Sequence, residues 1–435
     1  MTAEIPGAPV TTEENARPRI SSFGRRLLLL SSVGAAISNL GIILLVAQVL
    51  DVEDNKEFLV FWALLFGLFG VQSGIQNEGT RATTRPSARG ARVLAGGAAW
   101  GVAFAVLIAA TSPLWASHML PRSASSAVIV LVITALLYPI YITVLGALGG
   151  RGHWEWFGST LLVEVGVRVA LVFLAAGIGA SLGGFEAASA AAVLTLGAIL
   201  LIGRVPRRAL LSRADVPLPR LLRHQALAML STACTAVLIN GYPALVSVTN
   251  PQGSLGLPPE QSAALMGACM LAVSFTRAPI MMPLTVFVGV AISAFVGHRG
   301  SIWSAVRKPF LLLLAVGLFG GAAAWPIGPW FMRLVKPEYD LPGWYFAALT
   351  ASSVLMAWLM ILGAIALATN RHLLYVIGWG AASAVGAMCL LLPLHLTVTT
   401  TLSVSAGPAA GILILFAALQ RRQRVQEHAD VASAS

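Results

Sequence analysis

The sequence predicts an all-α polytopic membrane protein with about twelve transmembrane helices, arranged as two pseudo-symmetric six-helix halves around a central cavity. Of its 435 residues, 57% are hydrophobic and only 10% are charged, whereas a soluble domain carries roughly a quarter charged residues. Apolar runs of about 20 residues, the length that crosses a roughly 30 Å hydrocarbon core, recur along the chain. The basic residues fall almost entirely on one side of these runs, as membrane insertion requires.

The first half follows a predicted disordered cytoplasmic tail at 1–25 and extends over 26–203. Its predicted spans are 27–50, 58–75, 93–110, 127–148, 157–176 and 187–202. The first run is too long for a secretion signal, and no convincing cleavage site follows it. We therefore expect this run to form the first transmembrane helix.

A basic cytoplasmic linker at 204–224 joins this half to a second half at 225–419, and a cytoplasmic tail follows at 420–435. The predicted spans of the second half are 226–248, 263–296, 310–331, 344–368, 373–392 and 398–419. The run at 263–296 is long enough for two helices, but dividing it would move the later basic segments to the opposite side of the membrane. We expect one long helix, kinked or broken near Pro279 and Pro283.

The distribution of Lys and Arg supports this number of spans. Only four of the 28 basic residues fall on the predicted outer side: Lys56, Arg122, Arg333 and Lys336. Arg168 and Arg277 fall within spans, and all the others fall on the predicted inner side. Because basic loops remain in the cytoplasm, we expect a bacterial-type inner (plasma) membrane protein with both termini cytoplasmic. The net charge of +11 then requires no nucleic-acid partner.

The sequence predicts no cofactor. The cysteines Cys234, Cys269 and Cys389 lie in apolar runs without CxxC spacing, and the seven histidines are scattered singly, so neither a disulfide framework nor a metal site is indicated. The GxxxxGK[ST] motif is absent, which excludes ATP drive by a nucleotide-binding loop of this chain. Coupling to a proton, a sodium ion or the membrane potential remains open.

Three ionisable side chains are predicted to lie deep within spans: Glu164, Arg168 and Arg277. Each would cost about 2.5–3.5 kcal/mol at a lipid-exposed helix centre, so we expect them to face a cavity. Glu164 and Arg168 are four residues apart and share a helix face, where they can pair. Arg168 lies about 16 Å into its span, close to the membrane midplane. Two asparagines, Asn39 in the first span and Asn240 in the seventh, occupy similar places in the two halves.

Three stretches carry a resemblance to a known family. They are Asn39-Leu40-Gly41, then Gly146 to Arg151 followed by Trp156-Phe157, Glu164 and Arg168, and finally Phe275-Thr276-Arg277-Ala278-Pro279. These stretches resemble the polysaccharide and O-antigen flippase branch of the multidrug, oligosaccharidyl-lipid and polysaccharide (MOP, MATE-like) transporter superfamily. The resemblance implies a transporter rather than an enzyme. Its implied function is to translocate a polyprenyl-(pyro)phosphate-linked saccharide from the cytoplasmic to the outer leaflet, by alternating access, for cell-envelope polysaccharide synthesis.

The implied partners are the lipid-linked saccharide, membrane lipids, and glycosyltransferases or polymerases of the same pathway. Arg168 and Arg277 are the expected contacts for the phosphates, because guanidinium groups replace their lost hydration. Asn39 and Asn240 are expected to bind sugar or ion, or else to hold helices together. Glu164 is either a coupling-ion site or the structural partner of Arg168.

Two alternative functions remain. The first is another secondary transporter or exporter of small molecules or drugs, although the first and seventh spans contain no Asp or Glu, and the segment 79–85 lacks the aspartate usual in facilitator-type transporters. The second, less favoured, is a membrane glycosyltransferase that uses Asp51, Glu53 and Asp54 of the first outer loop. With about seven residues, that loop is too short to build a catalytic site.

Overall fold

A computed structural model describes residues 21–250, 256–296, 302–369 and 371–434. Within these residues the chain is almost entirely helical, and its β structure is limited to one isolated bridge between Arg92 and Arg213. Twelve helices in the described part of the chain are long and apolar enough to cross a membrane. The predicted all-α polytopic fold is therefore confirmed.

The N-terminal half contains the first six spans. Its helices are α1 (Ser22–Val49), α2 (Val52–Thr84), α3 (Val93–Met119), α4 (Ala124–Gly150), α5 (Trp154–Gly177), α6 (Leu182–Ala190) and α7 (Thr195–Ile202). A 3-10 turn at Ala191–Leu194 joins α6 to α7, and together they form the sixth span. Ser21 caps α1 by accepting a hydrogen bond from the Gly24 N–H (2.9 Å), which satisfies one of the free donors at the helix start.

The C-terminal half contains the other six spans and follows the short linker helix α8 (Arg204–Leu210). Its helices are α9 (Leu218–Ile239), α10 (Tyr242–Thr249), α11 (Pro259–Val296), α12 (Ile302–Val335), α13 (Gly343–Ala368), α14 (His372–Leu390) and α15 (Leu396–Ala434). The run at 263–296 lies in the single helix α11, which is not broken at its prolines. The predicted continuous span at 226–248 is wrong, because Asn240 and Gly241 separate α9 from α10. Helix α15 continues to Ala434, past the predicted span end at 419.

The alternating helices place the connecting segments at two opposite faces of the bundle. We call the first the basic face, which carries among others Arg85, Arg151, Arg213 and Arg371. We call the other the acidic face, which carries among others Asp51, Glu57, Glu186, Glu260 and Asp340. This division follows the order of the helices along the chain, and the side of the membrane on which each face lies stays a prediction.

The linker between the halves is docked on the α2–α3 loop by antiparallel backbone pairing. The Ala214 N–H donates to the Ala91 carbonyl (2.8 Å), and the Ala91 N–H donates to the Val216 carbonyl (2.9 Å). The Arg213 guanidinium also donates to the Gly90 carbonyl (3.0 Å). Because these bonds attach it to the N-terminal half, we expect the linker to move with that half.

The two halves meet where α2 packs against α9, α10 and α11. Small residues on α2 allow this approach, since a Cβ atom at Gly70 would lie 2.7 Å from the Ala236 Cβ and one at Gly74 would lie 2.6 Å from the Met229 Cα. The Thr232 hydroxyl of α9 donates across the contact to the Val71 carbonyl of α2 (2.8 Å). Close backbone approach with side-chain hydrogen bonds is the usual basis of helix association in membranes.

Candidate functional site

A buried ion pair lies inside the N-terminal half. Glu164 and Arg168 stand one turn apart on α5 and form the predicted salt bridge, with side chains 10% and 7% exposed. The Arg168 guanidinium also lies over the ring of Phe66, 4.9 Å from its centroid, in a favourable cation–π position. The Nε atom of Arg168 is buried and has no hydrogen-bond partner among the described residues. One donor of this guanidinium therefore remains unused.

Aromatic rings of α2 and α4 surround this pair. Phe66 stacks on Trp62, with ring centroids 4.4 Å apart, and Phe69 stacks on Tyr138 at 3.9 Å. These rings give the guanidinium an enclosure that excludes water while presenting electron-rich faces to its charge. The enclosure belongs to the N-terminal half, and no contact between Arg168 and the other half is described. The sequence analysis did not find these aromatic residues, because apolar aromatic residues are common throughout transmembrane helices.

The second embedded arginine lies in the C-terminal half, beside the break between α9 and α10. Arg277 of α11 donates from Nη1 to the Leu238 carbonyl (2.8 Å) in the last turn of α9. A cation at a helix C-terminus is favourable because the carbonyls there are unpaired. Its guanidinium lies 5.0 Å from the ring centroid of Tyr242, the first residue of α10. The Nη2 atom is buried without a hydrogen-bond partner in the described part of the chain.

The break itself was missed by the sequence analysis, although its signal is present. Asn240 and Gly241 are typical residues of a helix end, and Pro243 follows within the first turn of α10, as is typical of a helix start. Discontinuous helices of this type expose backbone groups in the middle of the membrane and often form transporter binding sites. The structure therefore brings Arg277 and the segment containing Asn240 together.

The two predicted asparagines have different surroundings. The Asn240 Nδ2 atom faces α2, since it lies 3.1 Å from where a Cβ atom of Gly70 would be. Asn39 is half-buried on α1, and its buried Oδ1 has no hydrogen-bond partner among the residues described. No described contact joins Asn39 to Asn240, Arg168 or Arg277.

The acidic residues of the transferase hypothesis are engaged in structural contacts. The outer loop is shorter than predicted, because α2 begins directly after Asp51, which caps it by accepting from the Asp54 N–H (2.7 Å). The guanidinium of Arg122 binds Glu53 (2.6 Å), Asp54 (2.8 Å) and Asp51 (3.5 Å). These carboxylates therefore neutralise one arginine and the start of one helix.

Further polar residues are buried at the acidic face, and the sequence analysis missed them. Glu57 is 1% exposed and Glu186 is 0% exposed, so Glu164, Arg168 and Arg277 are not alone in being embedded. Both glutamates stand one residue before the predicted spans that begin at 58 and 187. Asn55 Nδ2 donates to the Tyr339 hydroxyl (2.6 Å) and joins the two halves there. Burial raises the pKa of Tyr339 to about 12, so this hydroxyl is protonated in neutral solution.

An apolar cavity of about 320 Å³ lies within the C-terminal half, between α11, α12 and α13. Its lining includes Phe275, Ile280, Phe331 and Phe346. Arg168 is not part of this lining, and the cavity is not at the centre between the halves. The expected central cavity around Arg168 stays a prediction.

The fold matches that of solved membrane transporters. An inward-facing MATE family multidrug resistance transporter of the MOP superfamily matches with a TM-score of 0.67 at 15% identity, covering 90% of this chain and 96% of that one. An outward-facing structure of such a transporter gives 0.61 at 13% identity, covering 93% and 97%. A MOP superfamily transporter from Pyrococcus furiosus, for which reverse polarity of the binding pocket suggests a different function, gives 0.56 at 14% identity, covering 92% and 97%. The chain is a multi-pass membrane protein with the MOP transporter fold.

Relatives at higher identity occur in mycobacteria. The chain is 31% identical over 390 residues to Uncharacterized protein Rv1510 of Mycobacterium tuberculosis (strain ATCC 25618 / H37Rv), covering 88% of each chain. It is 32% identical over 401 residues to Uncharacterized protein Mb3654 of Mycobacterium bovis, covering 89% of each chain. The chain belongs to the same family as these mycobacterial proteins. No family model matches the sequence.

Proposed function

We propose that this protein is a flippase that moves a polyprenyl-(pyro)phosphate-linked saccharide between the leaflets of the membrane. The observation that carries the proposal is the pair of membrane-embedded arginines, one in each half, each with a buried guanidinium nitrogen that has no partner in the described structure. The MOP transporter fold supports a membrane transporter, and the positive charge of its interior favours an anionic substrate.

The balance of charge within the two halves supports an anionic substrate. Arg168 is paired with Glu164, whereas Arg277 has a backbone carbonyl and an aromatic face for partners. The interior at these two places therefore carries one net positive charge. A guanidinium is suited to phosphate oxygens because it presents several donors in one plane. The α1, α9 and α10 helices contain no Asp or Glu, which leaves them without a partner for a cationic drug.

Alternating access is supported by the arrangement of the contacts between the halves. The α2–α9 contacts lie in the second half of α2, from Gly70 near Ala236 to Glu78 near His224. The acidic face is closed by separate bonds such as Asn55 to Tyr339. Rocking of one half about α2 and α9 would break the bonds at that face and expose the interior. The proposal makes the basic face cytoplasmic and the acidic face external, in a bacterial inner membrane.

The pathway partners follow from the substrate. Glycosyltransferases would complete the lipid-linked saccharide on the cytoplasmic side, and polymerases or further transferases would use it outside. Export of a small molecule is the competing function, favoured by the apolar cavity between α11 and α13.

Depletion of the protein in its native host tests this proposal. The lipid fraction is analysed by mass spectrometry for polyprenyl-linked intermediates, and the surface glycan is measured in parallel. We expect the complete lipid-linked saccharide to accumulate while the surface product is lost, and its mass identifies the glycan. A truncated intermediate contradicts the proposal in favour of a transferase, and unchanged pools contradict it in favour of small-molecule export. Restoration of the protein from a plasmid is the control.

A further inference from the structure

A buried carboxyl group at the acidic face has no place in the function proposed above. Glu186 lies on α6 and is 0% exposed. Its Oε1 accepts a hydrogen bond from the Ser123 hydroxyl (2.7 Å). Its Oε2 is buried and has no hydrogen-bond partner in the described part of the chain. A fully buried carboxyl with one free oxygen requires an explanation.

The charged groups on the neighbouring elements are engaged elsewhere. Helix α6 packs against α2, α4 and α5, and the segment before α4 supplies Ser123. At this end of the bundle the charged side chains of these elements and of the segments beside them are Asp51, Glu53, Asp54, Lys56, Glu57 and Arg122. Further along α4 and α5, the titratable side chains are Tyr138, Tyr141, Glu164 and Arg168. The Arg122 guanidinium binds Asp51, Glu53 and Asp54, and Arg168 binds Glu164. Lys56 interacts electrostatically with Glu57 and Glu53. None of the salt bridges among the described residues involves Glu186.

We propose that Glu186 is a proton-binding site and that its protonation keeps the acidic face closed. The proposal rests on the transporter function proposed above but not on the identity of the substrate. A carboxylate at this place is 0% exposed to solvent and has no salt bridge among the described residues, so its ionisation is costly. The neutral acid carries no net charge and fits the site as built.

A short chain of bonds connects Glu186 with the contact between the halves. The Arg122 N–H donates to both carboxyl oxygens of Glu57 (2.7 and 3.1 Å), and the next residue, Ser123, donates to Glu186. Two residues before Glu57, Asn55 bonds to Tyr339 of the C-terminal half. Loss of the proton would add a negative charge beside the first turns of α2, where Glu57 is also buried, and like charges in a desolvated site repel strongly. The first turns of α2 are therefore the element that the proton controls.

The geometry favours a proton over a metal cation. Hard cations take six or more oxygen ligands, but both oxygens of Glu57 are already occupied by the backbone N–H of Arg122. Lys56, 5% exposed, adds a positive charge next to Glu57 that opposes a second cation. In the described chain no group of three or more His, Cys, Asp or Glu residues is arranged to hold a metal.

The test measures how far the acidic face opens as the pH changes. Ala264 of α11 is 8% exposed and belongs to the apolar cluster shared by both halves. A single reporter, Ala264→Cys, is introduced into a chain whose native Cys234, Cys269 and Cys389 are changed to Ala. The purified protein in sodium-free detergent buffer is labelled with a membrane-impermeant maleimide across a pH series, and the rates are corrected for the ionisation of a free thiol with a peptide standard.

We expect the corrected labelling rate to rise with pH in the reporter protein and to remain low at every pH when Glu186→Gln is added. Asp340→Asn, which removes an exposed acid of the same face, is the matched control and should keep the rise. If the Glu186→Gln protein does not fold, Ser123→Ala provides the test. Ser123 is the one hydrogen-bond donor to this carboxyl among the described residues, so its loss should move the rise to higher pH.

Three results would overturn the proposal. They are a labelling rate that does not depend on pH in the reporter protein, an unchanged pH profile in the Glu186→Gln or Ser123→Ala protein, and a rate controlled by added sodium at fixed pH. Because no saccharide is present, failure of this proposal is distinguishable from failure of the proposed flippase function.

Discussion

The contribution of the buried Glu164–Arg168 pair of α5 to stability can be measured by replacing its two members singly and together. Replacing Glu164 by Leu leaves a buried guanidinium without its anion, and replacing Arg168 by Met leaves a buried carboxylate without its cation. Each single change should therefore cost about 3–5 kcal/mol of unfolding free energy. The double variant removes both charges and fills the same space with apolar atoms, so its cost should be far smaller.

The double-mutant cycle isolates the energy of the Glu164–Arg168 ion pair from the other contacts of Arg168. Arg168 additionally interacts with the Phe66 ring at 4.9 Å, a contact worth about 0.5–2 kcal/mol. This contribution is lost both in the Arg168→Met variant and in the double variant, so it cancels from the double-mutant cycle. The remaining coupling energy belongs to the ion pair, whose side chains are 10% and 7% exposed. Because the double variant should cost less than either single variant, we expect this coupling to be at least about 3 kcal/mol.

The four proteins can be compared by unfolding in mixed micelles with increasing fractions of a denaturing detergent, followed by tryptophan fluorescence. The account predicts that the double variant is more stable than either single variant. Additive effects, with a coupling energy below about 0.5 kcal/mol, would refute the interpretation of Glu164 and Arg168 as a closed, desolvated pair.

Three further predictions concern the contacts that position the site. Gly74→Ala should destabilise the protein by about 1–3 kcal/mol in the same titration, because the added Cβ would meet the backbone of α9. Gly67→Ala is the control and should be neutral, because the nearest atom to its added Cβ is 4.0 Å away. Equal effects of the two changes would contradict the α2–α9 packing. Arg122→Gln should cost less than about 1 kcal/mol, since this side chain is 43% exposed, and a loss of about 3 kcal/mol or more would argue against that exposure. The double variant Lys56→Cys, Gly267→Cys should form a disulfide, because the two Cβ atoms would lie 3.8 Å apart, the usual separation in disulfides. The disulfide is detected as a change in gel mobility without reductant, and absence of cross-linking would contradict the closed acidic face.

Much of the fold could be predicted from the sequence, because the bilayer imposes a simple rule on length and polarity. Apolar runs long enough to cross a bilayer predict helices. The concentration of basic residues on one side of the predicted spans indicated that the run at 263–296 forms one helix and not two. The resulting single helix, Pro259–Val296, is present in the structure. The pairing of Glu164 with Arg168 follows in the same way from their spacing of one helical turn.

The parts that were missed depend on tertiary contacts. The break at Asn240 and Gly241 lies inside a run that is apolar on both sides, so hydropathy alone concealed it. Glu57 and Glu186 stand at the edges of the predicted spans, where acids are normally exposed to water. They are buried because residues 122 and 123, distant in sequence, supply hydrogen bonds to them. The aromatic enclosure of Arg168 likewise depends on the packing of α2 and α4 against α5.

The two embedded arginines, Arg168 and Arg277, are proposed to bind an anionic, lipid-linked substrate. The most direct measurement is transfer of the lipid-linked saccharide, extracted from depleted cells, between the leaflets of proteoliposomes that contain the purified protein. The wild-type protein should move this lipid, whereas the folded Glu164→Leu, Arg168→Met double variant should not, because it lacks the guanidinium that binds phosphate. Transfer by the double variant at the wild-type rate, or no transfer by the wild-type protein, would contradict the account.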